Sequence, residues 1–246
     1  MTGTVLILGA SSAIAHATAS AFAAKGYHLV LAGRSPQELQ RNAQDLSLRH
    51  GVTVTTRHFD ALDFGSHQAF YDRILQDQPD LAGMVYAIGL LEDQAVLNKH
   101  PELSRKVIDA NYTAGALLLS LFANHFESRQ SGFLIGISSV AGDRGRQSNY
   151  TYGASKGAFS LFLQGLRNRL AGSGVRVITI KPGFVDTAMT WGMPGLFLLA
   201  SPEQVGRKIA QAPERWADVR YIPWFWRYIM LIIKTIPEFL FKRMKL

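Results

Sequence analysis

The chain has 246 residues, 48% of them hydrophobic and 18% charged, which suits one α/β domain or two small ones and excludes a disordered chain. Its formal charge of +8 suits an anionic partner, a phosphate-bearing group or an acidic membrane surface. No nucleic-acid-binding motif occurs and the basic residues are thinly spread before the C-terminus, so no nucleic-acid partner is expected. The absence of cysteine removes disulfides, zinc ribbons and thiol catalysis, and no metal is expected.

The opening MTGTVLILGA has neither the basic start nor the long apolar stretch of a signal peptide, and reads at once as a buried strand. A cytoplasmic protein is the expectation. Apolar, β-branched or leucine-rich runs predict strands over 4–8, 28–32, 52–59, 81–87, 132–138 and 174–180. Their nearly unbroken apolar character fits strands covered on both faces. Helical patterns fall between them, over 14–25, 36–50, 65–76, 102–127 and 152–171. This alternation predicts a Rossmann-like, doubly wound parallel sheet with helices on both faces, and no repeat or linker divides residues 1–246 into more than one domain. Ligands of such sheets bind beyond the carboxyl ends of the strands, so chemistry is sought in the loops that follow them.

After the first strand comes Gly9-Ala-Ser11-Ser12-Ala-Ile14-Ala15. A turn of small residues that opens a helix lets backbone N–H groups and the positive helix end approach a pyrophosphate. Alone, the segment is equally an ordinary strand-to-helix turn. The second strand ends in Gly33-Arg34-Ser35, where an NAD site usually places a carboxylate for the ribose 2′-hydroxyl. Arg34 instead offers a guanidinium to a 2′-phosphate, which favours NADP(H). Asp60 and Ala61, after the third strand, are candidates for the adenine edge, although an aspartate there is more often a turn residue.

The strongest signal is Tyr152-Gly-Ala-Ser-Lys156. Positions four apart share one face of a helix, so Lys156 is expected to lower the Tyr152 phenol below its usual pKa and to reach a nicotinamide ribose. A phenol tuned in this way exchanges a proton with a carbonyl oxygen. Such a pair is common by chance as a surface feature, and its company makes it specific. Ser139, at the end of the fifth strand, can hydrogen-bond the same oxygen, or merely cap a helix. Asn111 lies within a long helical stretch; it can bend the helix and hold a water near Lys156, or be a buried amide satisfied by backbone. After the sixth strand, Pro182-Gly183-Phe-Val185-Asp-Thr187 turns abruptly and can present backbone and the Thr187 hydroxyl to a carboxamide.

Taken in order, these pieces resemble the short-chain dehydrogenase/reductase family over nearly the whole chain. The resemblance implies an NADP(H)-dependent oxidoreductase that interconverts a ketone and a secondary alcohol. It places the family's catalytic Asn-Ser-Tyr-Lys set on Asn111, Ser139, Tyr152 and Lys156. It also implies a homodimer or homotetramer. Two departures are visible: the family's second and third turn glycines are Ala13 and Ala15, and its Asn-Asn-Ala-Gly after the fourth strand is Tyr86-Ala87-Ile88-Gly89. Contact with the nicotinamide ribose then falls to backbone around Ala87 and Gly89. Within the family, the segment from Ser138 to Arg146 and the tail are similar to reductases of polyprenyl-phosphoryl keto-pentoses. A reductase of a small soluble ketone and an inactive dinucleotide sensor are the alternatives.

Two segments remain. Residues 187–201 are apolar but carry Gly192, Pro194 and Gly195, and read as a lid over the substrate or as a kinked core helix. Residues 219–246 carry six Lys/Arg against the single acid Glu238, interleaved with Trp224, Trp226 and a run of aliphatics. The run is too short to span a bilayer. The tail is expected to pack on protein, with peripheral contact at the inner face of a membrane as the competing use.

Overall fold

The computed structural model describes residues 3–192, 198–215 and 218–244. Seven parallel strands form one sheet: β1 (Thr4–Leu8), β2 (His28–Gly33), β3 (Val54–His58), β4 (Leu81–Tyr86), β5 (Gly132–Ile137), β6 (Val175–Pro182) and β7 (Val219–Ile222). Their order is β3-β2-β1-β4-β5-β6-β7, so the chain reverses direction across the sheet between β1 and β4. Successive residues of β1 enter opposite layers, as the two-residue period of a strand requires. Val5 and Ile7 join Phe22 and Ile209 in one core, while Leu6 and Leu8 join Phe122 and Phe159 in the other.

Three helices, α1 (Ala13–Ala23), α2 (Pro36–His50) and α3 (His67–Asp77), cross between the first four strands. The expected helix over 102–127 is in fact two, α5 (Leu103–Ile108) and α6 (Ala114–Arg129), preceded by a short α4 (Gln94–Lys99). A π turn at Asp109–Thr113 joins α5 to α6. It widens the backbone around Asn111, which points inward and is fully buried, and the Tyr86 hydroxyl donates to the Ala110 carbonyl at 2.7 Å. Such turns often mark functional sites. The helix α7 (Tyr150–Leu170) starts two residues before the expectation.

Beyond β6, α8 (Pro202–Ala210) and the edge strand β7 extend the fold where the sequence pattern gives no clear strand signal. Only four residues of β7 pair, all with β6, too few for a recognisable alternation. The tail continues as α9 (Trp226–Thr235) and α10 (Glu238–Phe241). Among the described residues no helix is long and apolar enough to cross a membrane. Lys245 of the tail and residues 193–197 of the expected lid lie outside the described residues.

Candidate active site

Because the strand order reverses between β1 and β4, the loops leaving these two strands meet. Gly9 has φ +78°, and a Cβ there would lie 2.9 Å from Ile88 Cγ1 and 3.1 Å from the Ala87 carbonyl carbon. Both its conformation and its neighbours demand glycine. Ser12 caps α1, its Oγ accepting from the Ala15 N–H at 3.3 Å. The neighbouring Ser11 Oγ is buried and has no partner within the protein. Gly9, Ser11 and Ser12 line a cleft of about 350 Å³ together with Arg34, Asp60, Ala61, Ala87 and Gly89. Asp60 also holds its own turn, its Oδ1 accepting from the Leu62 N–H at 3.0 Å. Glu38 and Lys106 line the same cleft and are absent from the sequence reading. Glu38 comes there because α2 aims its first turn at the cleft.

A second cavity, of about 670 Å³, shares Ser11, Ser12, Ala87 and Gly89 with the first and runs to Ser139, Tyr152 and Lys156. Ile14, Pro182, Gly183, Val185 and Thr187 complete its walls, and Met189 and Trp191 lie at its far side. Ser139 follows β5 and does two things at once. Its Oγ accepts from the Ala141 N–H at 3.1 Å, starting a 3₁₀ turn over Val140–Asp143, and its hydroxyl shares a cavity with the Tyr152 phenol. Ser138 Oγ donates to the Lys156 carbonyl at 2.9 Å, fixing the end of β5 to the first turns of α7. A Cβ at Gly142 would stand 2.7 Å from the Lys156 backbone, so this turn lies flat against the helix.

Burial pushes the Tyr152 phenol up to about 12, and the hydrogen bond to Ser139 opposes this without offsetting it. Burial also pulls the Lys156 ammonium down to about 8. The expectation that Lys156 lowers the phenol is therefore corrected: removal from water sets the direction, and Lys156 is not among the groups that lower it. The ammonium lies 5.9 Å from the Tyr152 ring centre and donates instead to the carbonyls of Ile137 at 3.0 Å and Ile88 at 3.5 Å.

The hydrogen bonds of Asn111 go to Leu90 and Ser155 rather than to Tyr152. Its Oδ1 accepts from the Leu90 N–H at 2.6 Å, and its Nδ2 donates to the Leu90 carbonyl at 2.8 Å and to Ser155 Oγ at 2.9 Å. The amide thus clips the loop after β4 to the helix that carries Tyr152 and Lys156. Its bonding is that of a buried amide satisfied largely by backbone.

Gly183 owes its identity to the tail. A Cβ there would collide with the Trp226 indole, whose ring also meets Phe184 edge-on at 5.3 Å between centres. Trp226 and Met230 form a small core with Val140, directly after Ser139. Arg144 spans the same contact. Its Nη1 donates to the carbonyls of Ile233 at 2.8 Å and Ile236 at 2.6 Å, its Nη2 pairs with Glu238 at 2.9 Å, and its guanidinium stacks 3.8 Å from the Phe241 ring centre. One face of the tail is therefore packed on protein.

The doubly wound parallel sheet, with two adjoining cavities at the carboxyl ends of its strands, defines a Rossmann-like α/β protein. Residues 3–194 match the short chain dehydrogenase family, and the chain belongs to it, a family of oxidoreductases acting on CH–OH groups. An uncharacterized oxidoreductase of Mycobacterium tuberculosis is 34% identical over 240 residues, which cover 98% of this chain and 96% of that one. One from Streptomyces coelicolor is 34% identical over 243 residues, covering 98% and 95%. Among solved structures, a short-chain dehydrogenase from Sphingobium yanoikuyae in complex with NADPH superposes with a TM-score of 0.82 at 25% identity, covering 96% of this chain and 97% of that one. One from Burkholderia cenocepacia in complex with NADP has the same fold, with a TM-score of 0.83 at 22% identity and coverage of 98% and 97%.

Proposed function

We propose that the chain is an NADP(H)-dependent oxidoreductase that interconverts a ketone and a secondary alcohol in one catalytic domain, with Tyr152 as acid/base. The observation that carries this is that Ser139, Tyr152 and Lys156, the last one helical turn beyond Tyr152, line one cavity that adjoins the cleft of Gly9, Ser11 and Arg34. The residues present fit the cofactor. Ser11 offers an unpartnered hydroxyl at the N-terminus of α1, Gly9 leaves room for a close backbone approach, and Arg34 stands at the end of β2 with a guanidinium suited to a 2′-phosphate. Ile14, Ala87, Gly89, Pro182, Val185 and Thr187 would line the nicotinamide half, and Asp60 and Ala61 the adenine half. The NADPH and NADP complexes of the similar structures support the same choice.

When bound, the nicotinamide supplies or receives hydride. The chain's own residues manage the proton. A phenol raised to about 12 is protonated near neutral pH, so Tyr152 is poised to donate to the oxygen of an arriving ketone. The Ser139 hydroxyl, which lines the same cavity as Tyr152, would hold that same oxygen. Asn111 is a positioning residue, since its hydrogen bonds go to Leu90 and Ser155.

The substrate reading extends to a keto-sugar carried on a lipid. It is supported by the exposed Met189 and Trp191 at the cavity edge, by exposed Trp224 in the turn before α9, and by the outer face of α9, where Tyr228, Leu231 and Ile232 are exposed. That face suits peripheral contact with a bilayer. Exposed Leu117 on α6 and Leu161 on α7, helices that pack side by side, support a homodimer or homotetramer. The test is NADPH oxidation over a ketone panel. Tyr152→Phe is expected to lower turnover by about 10²–10⁴ while NADPH still binds. Near-normal turnover in that variant would overturn the assignment.

A further inference from the structure

A cavity of about 620 Å³ lies between α8 and β7 and is lined by none of the candidate catalytic residues. Its lining gathers Arg207 and Lys208 from α8, Arg215 beyond it, Arg220 from β7, and Arg227 from the start of α9. No carboxylate lines it among the described residues. None of the five cations forms an ion pair among the described residues, whereas Arg57, Arg144, Arg167 and Arg169 elsewhere are each paired with an acid. Glu203, one turn before Arg207 on α8, is the acid whose field reaches this group. Arg220 is the most telling member. Its Nε is buried without a partner, and burial together with Arg215 and Arg176 weighs against its charge. Gathering like charges around a partly buried guanidinium is unfavourable unless an anion offsets it.

A phosphate fits this set better than a single carboxylate. Guanidinium groups present planar forks of N–H donors that match phosphate oxygens bidentately, and several of them can share more than one negative charge. Trp224 lines the same cavity, is 72% exposed, and lies in the turn before α9, its ring 5.9 Å from that of Tyr228 on the helix's outer face. A ligand with a phosphate in the cavity and an apolar portion against Trp224, Tyr228 and Ile232 would cover both. The cavity also shares a wall with the active site. Ala200 lines it and accepts from the Asp186 N–H at 3.0 Å, while Asp186 lines the catalytic cavity.

We propose that the cleft between α8 and β7 is a phosphate-binding site, and that the phosphate it takes is the headgroup of an acidic lipid lying against α9. The assignment does not rest on the ketone reading.

The experiment uses the full chain saturated with NADPH, so that cofactor phosphates are already bound. Flotation is measured with phosphatidylcholine vesicles with and without phosphatidylglycerol, and inorganic pyrophosphate is titrated separately by calorimetry. Two variants test the cleft: Arg220→Gln, and the exposed pair Arg207→Gln with Lys208→Gln, which removes charge without touching the interior. Arg41→Gln with Lys99→Gln removes equal charge elsewhere. Circular dichroism and turnover on a soluble ketone check that each variant is folded. The expected result is binding that requires phosphatidylglycerol and weakens about tenfold or more in the cleft variants but little in the control. Pyrophosphate binding with the same dependence but no vesicle binding would keep the phosphate site and overturn its lipid source. Equal losses in the cleft and control variants, or no binding of either probe, would overturn the site itself while leaving the reductase proposal standing.

Discussion

The Trp226 indole fills the space that any side chain at Gly183 would need, and this contact joins the end of β6 to the first residue of α9. Gly183 also donates its N–H to the Ile222 carbonyl at 2.9 Å, so its backbone is fixed from two sides. Gly183→Ala is expected to cost about 1–3 kcal/mol through overpacking. In a Trp226→Leu background the added cost should largely vanish, since coupled neighbours are not additive. Urea unfolding of the four proteins measures this. An equal cost in both backgrounds would show that Trp226 is not what excludes a side chain at 183.

Lys156 gives the fold a specific response to pH. Its ammonium is pulled from the ordinary 10.5 down to about 8 by burial. Between those values the unfolded chain binds the proton that the folded chain has released, so stability rises with pH across that window. Tyr152 works in the opposite sense. Pushed from 10.0 up to about 12, it stays protonated in the fold after the unfolded chain has ionised, so its effect is a loss of stability above pH 10. Urea midpoints of the cofactor-free protein should therefore rise from pH 8 to 10, and the rise should shrink in Lys156→Met. An unchanged slope in that variant would contradict the burial of a titrating ammonium.

Coenzyme preference is expected to rest on Arg34, which is exposed and lines the adenine-side cleft with Lys106 nearby and Glu38 opposing. NADPH should bind more tightly than NADH, and Arg34→Ala should remove about 1–3 kcal/mol of the difference, the range for charge-assisted hydrogen bonds. Glu38→Gln should enlarge the preference, because it removes the acid that shares the cleft. Fluorescence titration with both nucleotides decides this. A protein that already prefers NADH would sink the assignment.

The cleft was legible in the sequence because its parts are local. Gly9 and Ser139 each follow the end of a strand, which an apolar run locates, and Tyr152 and Lys156 lie one turn apart within a single helix. What stayed hidden depends on contacts between distant parts of the chain. Nothing near Gly183 in sequence points to Trp226. Asn111 reads as a helix bender, but its bonds to Leu90 appear only once α6 is packed beside the loop after β4. The acidity of Tyr152 could not be read from a four-residue spacing, because burial sets it. Charge counting marked the tail as basic but could not tell Arg220, which lines a cavity, from Lys242, which lies beyond α10.

The tail is tied through Arg144 to the turn that Ser139 begins, and that tie can be cut. The last carbonyls of a helix lack partners within it, and a guanidinium placed there satisfies several at once. Arg144 does this for α9 through Ile233, Lys234 and Ile236, and adds Glu238 and the Phe241 ring. Its neighbour Asp143 is held from the other side by Lys181 and by the Tyr221 hydroxyl at 2.7 Å. Because both residues belong to the turn that Ser139 begins, loosening the tail should disturb the placement of the Ser139 hydroxyl. Arg144→Ala is expected to cost about 2–3 kcal/mol, the upper range for hydrogen bonds to a charged group. It should also expose Lys234 and Lys242 to trypsin. Arg144→Lys should recover little, since an ammonium cannot span three carbonyls and a carboxylate in one plane. Thermal unfolding and timed proteolysis give the two readouts. If Arg144→Ala leaves both unchanged, the tail is not held by this arginine, and its docking must rest on Trp226 and Met230 alone.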